Sequence, residues 1–508
     1  MSGKIFWDKF RKWESIPVMR VNIHAAGLRQ FRQAILFIFS VSVCVAGEAR
    51  MPKISVMPDG AGFQTADGKP FVPFGVTYYR PGTGWAPQVW KQFDADATRR
   101  DFARMKEMGA NCVRVFLSYG SFCSTSGKLD ADGIAKFDQF LAIAEGAGIY
   151  VHPTGPDHWE GLPEWASVDR IADERALVGL ESFWTEFAAR YRERTVIFAF
   201  DLRNEPEVAW DTAPMRAKWS AWLKSKYGSV ESVARAWALT NSVLAFENFL
   251  PPKSGKSTES ELLDYQLFRE QVADEWTERQ VKAIKAADPK ALISVGLVQW
   301  SVPSCIVSPE HYSAFRPERQ ARFLDFLEIH FYPFDHGVYE YRDDEDEGRN
   351  LAYLENVVNE TARFKKPVVV AEFGWYGGGK PKFDDGRHPF ATEDQQARWC
   401  QRLVESTAGL ATGWLNWGFY DQPEAGDCSE FTGLLTAEGK VKAWGRAFKT
   451  LSARYSEGRF PKRNLGPRPA LDWNRAIVDR GVGDRFRAEY YAAWKKDRAE
   501  SASTSSVP

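Results

Sequence analysis

The sequence predicts an α/β fold, a (β/α)8 TIM barrel with a helical insertion after the fourth strand and a helical extension at the C-terminus. Three observations predict it. Eight short, β-rich apolar runs alternate with longer segments whose apolar residues recur at helical spacing. Each run but the last precedes another after a helix-length crossover, as parallel strands require, and the eighth closes a barrel. A doubly wound open sheet would carry a glycine-rich turn after its first strand, and none stands there.

The elements follow in order. The runs begin at Phe71 (FVPFGVTYY), Asn111 (NCVRVFL), Gly148 (GIYVHPT), Thr195 (TVIFAFDLRNE), Leu292 (LISVGLVQW), Phe323 (FLDFLEIHFYP), Pro367 (PVVVAEFGW) and Gly413 (GWLNWGFYD). Between them, TRRDFARMKEMG repeats Phe102, Met105 and Met108 on one helical face; FDQFLAIAEGAG, LVGLESFWTEFAARYRER and YLENVVNETARFKK follow the same logic. KWSAWLKSKYGSVESVARAW is the insertion, spanning about 208–258 of a catalytic domain at 50–455. A Pro/Arg-rich connector (FPKRNLGPRP) and a charged helix near FRAEYYAAWKKDRAE form the extension, 456–508, whose final SASTSSVP reads as disordered. The acidic run DDEDE at Asp343 reads as a solvated loop, and Gly377-Gly378-Gly379 as a mobile loop edge.

Residues 1–49 read as an export leader. Arg29 and Arg32 precede an apolar segment from Ala34 through Val45, and Ala46, Gly47 and Ala49 offer a cleavage site. The segment is too short for a comfortable membrane span, so no stable span is expected after its removal and the mature chain is expected in the periplasm or outside the cell. Met19 is an alternative start, and Val43 before Cys44 argues against a lipoprotein site. Five cysteines follow the leader (Cys112, Cys123, Cys305, Cys400 and Cys428) without a CxxC pair, which disfavours zinc and leaves one bridge between two of them open.

A formal net charge of −1 supplies no basic excess, which excludes an electrostatic nucleic-acid partner. The 20 tryptophans fit either a large core or sugar-stacking platforms, so their positions must decide. Trp85, Trp90, Trp159, Trp165, Trp210, Trp375 and Tyr376 fall in loops after strands, where about half are expected to line a cleft. Functional groups of a parallel barrel gather at the C-terminal strand ends. Those ends give Tyr78 and Tyr79, Arg114, His152, Asn204 and Glu205, Trp300, His330 and Tyr332, Glu372, and Trp417. Glu205 and Glu372 close the fourth and seventh strands, and paired carboxylates are what glycosidic cleavage needs.

FDLRNEPE resembles the Asn-Glu-Pro signature of glycoside hydrolase family 5 and its clan of retaining (β/α)8 hydrolases. AEFGW resembles the clan's nucleophile strand, and HFYP the family's His-x-Tyr on strand six. The resemblance covers roughly Phe71 to Tyr420. It implies Glu205 as acid/base beside an apolar wall, Glu372 as nucleophile kept charged by Arg114 and Tyr332, and Asn204 on the sugar 2-hydroxyl. It further implies His330 near the acid/base and Trp417 as the floor beneath the sugar; His152 matches less closely, with His158 competing for that place. Trp300 and Tyr79 complete the expected substrate-binding set. The insertion resembles the segment after strand four of family 42 β-galactosidases, with a Trp-Leu pair before Lys-Tyr-Gly. The expectation is an exported retaining hydrolase of a β-linked glycan, β-mannan or β-glucan, needing no metal or organic cofactor. An exo-acting β-galactosidase or β-mannosidase, and a glycan-binding barrel without catalysis, are the alternatives. The oligomeric state is left open.

Overall fold

A computed structural model of the chain describes residues 50–504 apart from 84–85, 126–127, 158–160, 241–244, 334–341, 383–387 and 462–464. The leader with Met19, Arg29, Arg32, Cys44 and the cleavage site at Ala46–Ala49 lies outside the described residues, as do Trp85, His158 and Trp159. No helix among the described residues is long and apolar enough to cross a membrane.

The first strands are short and were not anticipated. Strands β1 (Ile54–Val56), β2 (Phe63–Thr65) and β3 (Pro70–Phe71) make a small antiparallel sheet. The expected first barrel strand is therefore split. Its Phe71 belongs to β3, Pro73 lacks an amide to donate, and the barrel begins at Phe74. The eight predicted runs then supply β4 (Phe74–Thr77), β5 (Cys112–Ser118), β6 (Tyr150–Asp157), β7 (Phe200–Asn204), β8 (Ile293–Val298), β9 (Leu327–Phe331), β10 (Val368–Phe373) and β11 (Trp414–Asn416). They pair in parallel and close in the order β10-β11-β4-β5-β6-β7-β8-β9.

The small sheet stops one end of this barrel. Phe63 meets Phe198 and Phe326 edge-on, with centroids 5.0 and 5.2 Å apart, and Phe71 packs on Tyr150 at 4.8 Å. Phe198, Phe326 and Tyr150 lie at the N-terminal ends of their strands, so this aromatic plug closes the face opposite the strand exits.

The helices are α1 (Ala95–Glu107), α2 (Tyr119–Phe122), α3 (Ala131–Ala147), α4 (Glu174–Tyr191), α5 (Ala213–Tyr227), α6 (Val230–Ala236), α7 (Glu259–Ala287), α8 (Pro317–Gln320), α9 (Asp344–Ala362), α10 (Glu393–Thr407), α11 (Ala443–Tyr455), α12 (Trp473–Val478) and α13 (Arg480–Thr504). Local chemistry starts them. Asp94 caps α1 by accepting from the amides of Asp96 and Ala97, and Thr258 with Glu261 makes a capping box on α7.

The insertion is α5 and α6, folded onto α7. Trp219 stacks on Trp222 and Trp237 at 5.1 and 6.0 Å and packs on Tyr265 and Phe268. The Lys-Tyr-Gly stretch has a structural task. Lys226 and Tyr227 donate to Asp264 of α7, which also accepts from Trp237 Nε1 at 2.9 Å.

Three local expectations are corrected. DDEDE is no loop: Asp343 caps α9 by accepting from the amide of Asp346, and Glu347 is buried against Arg398 and Arg402. Acidic residues in a first helical turn meet the positive end of the helix dipole. The triple glycine is packed rather than mobile. A Cβ on Gly377 would stand 2.4 Å from Gln396 Cβ, and one on Gly379 2.4 Å from the Phe431 ring. At the C-terminus α13 continues through Thr504, so half of SASTSSVP is helical; residues 505–508 lie outside the described residues. The extension lies on α7 and α9. Arg468 pairs with Glu355 at 2.9 Å and with Asp497, and Trp473 Nε1 donates to Glu360 at 3.0 Å. Cys112, Cys123, Cys305 and Cys400 are buried free thiols, so none of these four forms the bridge left open above.

Candidate active site

The strand exits opposite the plug carry the polar groups, and backbone irregularities aim them. Asn204 and Glu205 are consecutive, so a regular strand would send them to opposite faces. The pairing of β7 with β8 shifts register between Asp201 and Asn204, and Glu205 takes a left-handed φ of +42°. A bulge and a strained residue together turn both side chains to one site. A second register shift, between Val370 and Glu372, aims Glu372 from β10.

The two glutamates meet there. One carboxylate oxygen of each, with Nδ1 of His330, lies within 4.8 Å of the other two atoms. His330 Nδ1 stands 3.1 Å from Glu205 Oε1 and 3.7 Å from Glu372 Oε2. Its Nε2 has no hydrogen-bond partner among the described residues, so the ring proton belongs on Nδ1, where the acceptors are. Burial above all keeps this imidazole below its ordinary pKa and therefore neutral.

Glu372 is the buried member, its side chain 4% exposed against 29% for Glu205. One oxygen accepts from Arg114 Nη1 and the other from Tyr332 Oη at 2.9 Å. The expectation that such donors hold its carboxyl low is corrected: burial outweighs His330 and Arg114, Glu205 adds repulsion, and the net direction is upward. Glu205, expected beside an apolar wall, is the more exposed of the two carboxylates.

Arg114 is wholly buried and shared. Its Nη2 donates to Asp201 at 2.8 Å and to Asn204 Oδ1 at 2.9 Å while Nη1 serves Glu372. Asp201 in turn accepts from Thr154 Oγ1, Gly296 N and Arg203 N at 2.9, 2.8 and 3.1 Å. The guanidinium thus supplies the positive charge between Asp201 and Glu372.

His152, an expected substrate contact, lies inside the barrel and away from the cleft. It pairs laterally with Arg114, in the middle of its strand rather than at the end, because β6 runs on to Asp157. From that layer a guanidinium reaches the carboxylates and an imidazole does not. His152 instead bonds Ala199 O at 2.9 Å and Glu328 Oε1 at 2.7 Å inside the barrel.

The aromatic residues divide similarly. Trp417 packs with Tyr79 and Phe116 at 5.5 and 5.8 Å, and its Nε1 donates to Ser429 Oγ at 2.8 Å. Trp300 donates to Glu207 and lies on His311 at 4.7 Å. Trp90, Trp375 and Tyr376 are buried, Trp90 against Phe137 and Phe140 of α3 and the other two against Trp399 of α10. Trp165, half-buried, packs edge-on against Tyr119, and Trp210, also half-buried, donates through Nε1 to Pro252 O.

Sequence reasoning missed two supports. Gln299 grips the backbone of Tyr332 twice, accepting from its N at 2.6 Å and donating to its O at 3.1 Å. Gly296 leaves room for the site: a Cβ there would be 2.8 Å from His330 Cε1 and 3.1 Å from Asp201 Oδ2. The polar residue between an apolar strand and Trp300 was a visible signal for Gln299; Gly296 gave none.

The model of the cellulase family, glycosyl hydrolase family 5, matches residues 65–422. A β-galactosidase, BgaA, from Thermus sp is 26% identical over 250 residues, 43% of this chain and only 37% of that protein's length. Among solved structures, the exo-β-1,4-mannosidase Op5Man5 from Opitutaceae bacterium strain TAV5 is similar at 18% identity and TM-score 0.56, covering 82% of this chain and 67% of that one. A GH5_18 protein from Streptomyces cattleya, in complex with Manβ1-4GlcNAc, gives 18% and 0.57 over 83% and 97%. A β-galactosidase from the psychrophilic Marinomonas ef1 gives 16% and 0.59 over 83% and 64%. At these identities the likeness is one of fold.

Proposed function

The chain belongs to glycosyl hydrolase family 5, and on that premise we propose that it is an exported retaining β-glycosidase working by double displacement. The observation that carries the reading is the approach of Glu205 and Glu372 oxygens to within 4.8 Å. Retaining enzymes hold their carboxyls roughly 5–5.5 Å apart, and inverting ones roughly 6.5–9.5 Å to admit a water. Glu372, fixed by Arg114 and Tyr332, attacks the anomeric carbon; Glu205 gives its proton to the departing oxygen and then takes one from water. Asn204 beside Glu205 reaches the sugar 2-hydroxyl, and Trp417 supplies the floor. Neutral His330 holds Glu205 through Nδ1.

Two variants separate the roles. Glu372→Ala loses all turnover; retained activity overturns the assignment. Glu205→Ala loses about 10²–10⁴-fold on natural glycosides, but much less in the first step on an aryl glycoside whose leaving group needs no proton. Azide then restores release and yields a β-glycosyl azide. NMR of the first-formed product with the wild type shows a β anomer.

The substrate is a β-mannan or β-glucan, internal cleavage giving a ladder of oligosaccharides. A second reading, an exo-acting β-mannosidase or β-galactosidase, is favoured by one observation: the α5–α6 insertion, which follows β7 and Glu205 in the chain, is fastened to α7. The names of the similar proteins support it. Monosaccharide alone from defined mannan, glucan and galactoside panels selects this reading. Export is tested by N-terminal sequencing of protein from the periplasm or medium, with cleavage expected at Ala46–Ala49.

A further inference from the structure

We propose that His152 and Glu328, a buried imidazole–carboxylate pair one layer beneath the site, are positioning residues that balance the charge of Asp201 and thereby hold Arg114 against Glu372. The proposal rests on the reading of Glu372 as nucleophile.

The geometry fixes the pair's protons. His152 Nδ1 faces the carbonyl of Ala199 at 2.9 Å, and a carbonyl only accepts, so Nδ1 carries hydrogen. Nε2 faces Glu328 Oε1 at 2.7 Å, which places a second proton between ring and carboxylate. The residues are wholly buried, and His152, Asp201 and Glu328 offer atoms within 4.8 Å of one another. Two buried carboxylates so close repel unless positive charge is interposed. Arg114 serves Asp201 from one side, but it is committed to Glu372 and Asn204 as well. His152 as an imidazolium serves Glu328 from the other.

The directions of titration agree. Burial pushes the His152 ring down, but the Glu328 carboxylate more than offsets it and the net direction is upward. Burial and then Glu328 push Asp201 up, against Arg114 and His152. The other titratable groups facing the pair are Cys112 and His330, neither of which can replace the missing positive charge while His330 is neutral. Without His152 the Glu328 charge has a competing destination: its Oε2 and Arg114 Nε both lack a partner among the described residues. A guanidinium drawn toward Glu328 leaves Glu372.

The test is charge balance. His152→Gln keeps a donor to Glu328 and removes the charge. It should lower kcat about tenfold or more with KM within about threefold, and move the acid limb of kcat/KM to higher pH. The double variant His152→Gln/Glu328→Gln, neutral at both positions, should return the limb to the wild-type position and recover most of kcat. A merely structural pair predicts the reverse, with damage that adds. An unmoved limb in folded His152→Gln, or a double variant worse than the single, overturns the proposal. In the wild type, ¹⁵N NMR of labelled histidine should show one ring protonated on both nitrogens from about pH 5 to 8, a signal lost in Glu328→Gln. A ring neutral in that range overturns the proposal, and this spectrum decides alone if His152→Gln does not fold. An active Glu372→Ala enzyme would instead overturn the functional reading beneath it.

Discussion

Gly296 shows how much of the site depends on what is absent. Its amide holds Asp201, its carbonyl accepts from the Glu205 amide at 2.8 Å, and its missing side chain leaves the space beside His330. Gly296→Ala should fold and lose about 10²-fold in kcat, because displacements near 1 Å carry that cost; wild-type kcat in the alanine variant would show that the ring can yield. Glu372 gives a second expectation. Its folded pKa is raised, so its contribution to stability is full below its ordinary 4.5 and lost as pH rises through the folded value. Neutral Glu372→Gln should therefore unfold at a higher temperature than wild type at about pH 7, with the gain closing by about pH 4; a gain unchanged between the two contradicts it. Glu205, Glu372, Arg114 and Tyr332 were legible because polar groups at the ends of apolar runs stand out. Gly296, Glu328 and the centrality of Asp201 were not, since each has meaning only through neighbours on other strands. His152 misled because sequence shows that a strand holds a histidine but not how far the strand continues.

At the scale of elements, legibility followed length. Buried parallel strands are continuous apolar runs, and all eight were found. Strands β1–β3 have two or three residues each, too few for any period to show. The bulges in β7 and β10 are likewise invisible, although they aim both glutamates. The insertion was legible as helix but not as an anchored one. Its anchor is Asp264, which receives donors from Lys226, Tyr227 and Trp237. Asp264→Ala strands these donors and should cost roughly 2–3 kcal/mol, with α5–α6 becoming the first site of limited proteolysis. If the insertion walls the cleft, the product ladder should change in the same variant; unchanged denaturant midpoint and proteolysis would deny Asp264 this role.

Across the whole molecule, the extension acts as an outer strap. Arg468, 9% exposed, neutralises Glu355, 3% exposed, from more than a hundred residues away. Arg468→Ala takes this counter-charge from a buried carboxylate that keeps the Tyr490 hydroxyl as donor, and should cost about 3 kcal/mol, read in the denaturant midpoint, while kcat stays unchanged because the strap lies on the outer helices; a fall in kcat without loss of stability would contradict that separation. The connector's Pro and Arg content announced a linker, and nothing in its composition announced this pairing. The aromatic plug of Phe63 and Phe71 has its own consequence. With one end stoppered and the interior filled by charged side chains, the barrel is a cup with a single mouth. On the proposed double displacement, the water that frees a sugar from Glu372 arrives where the leaving group departed. On the same proposal a second sugar in that place competes with water as acceptor, which would make the rim the place where cutting and rejoining glycans are partitioned.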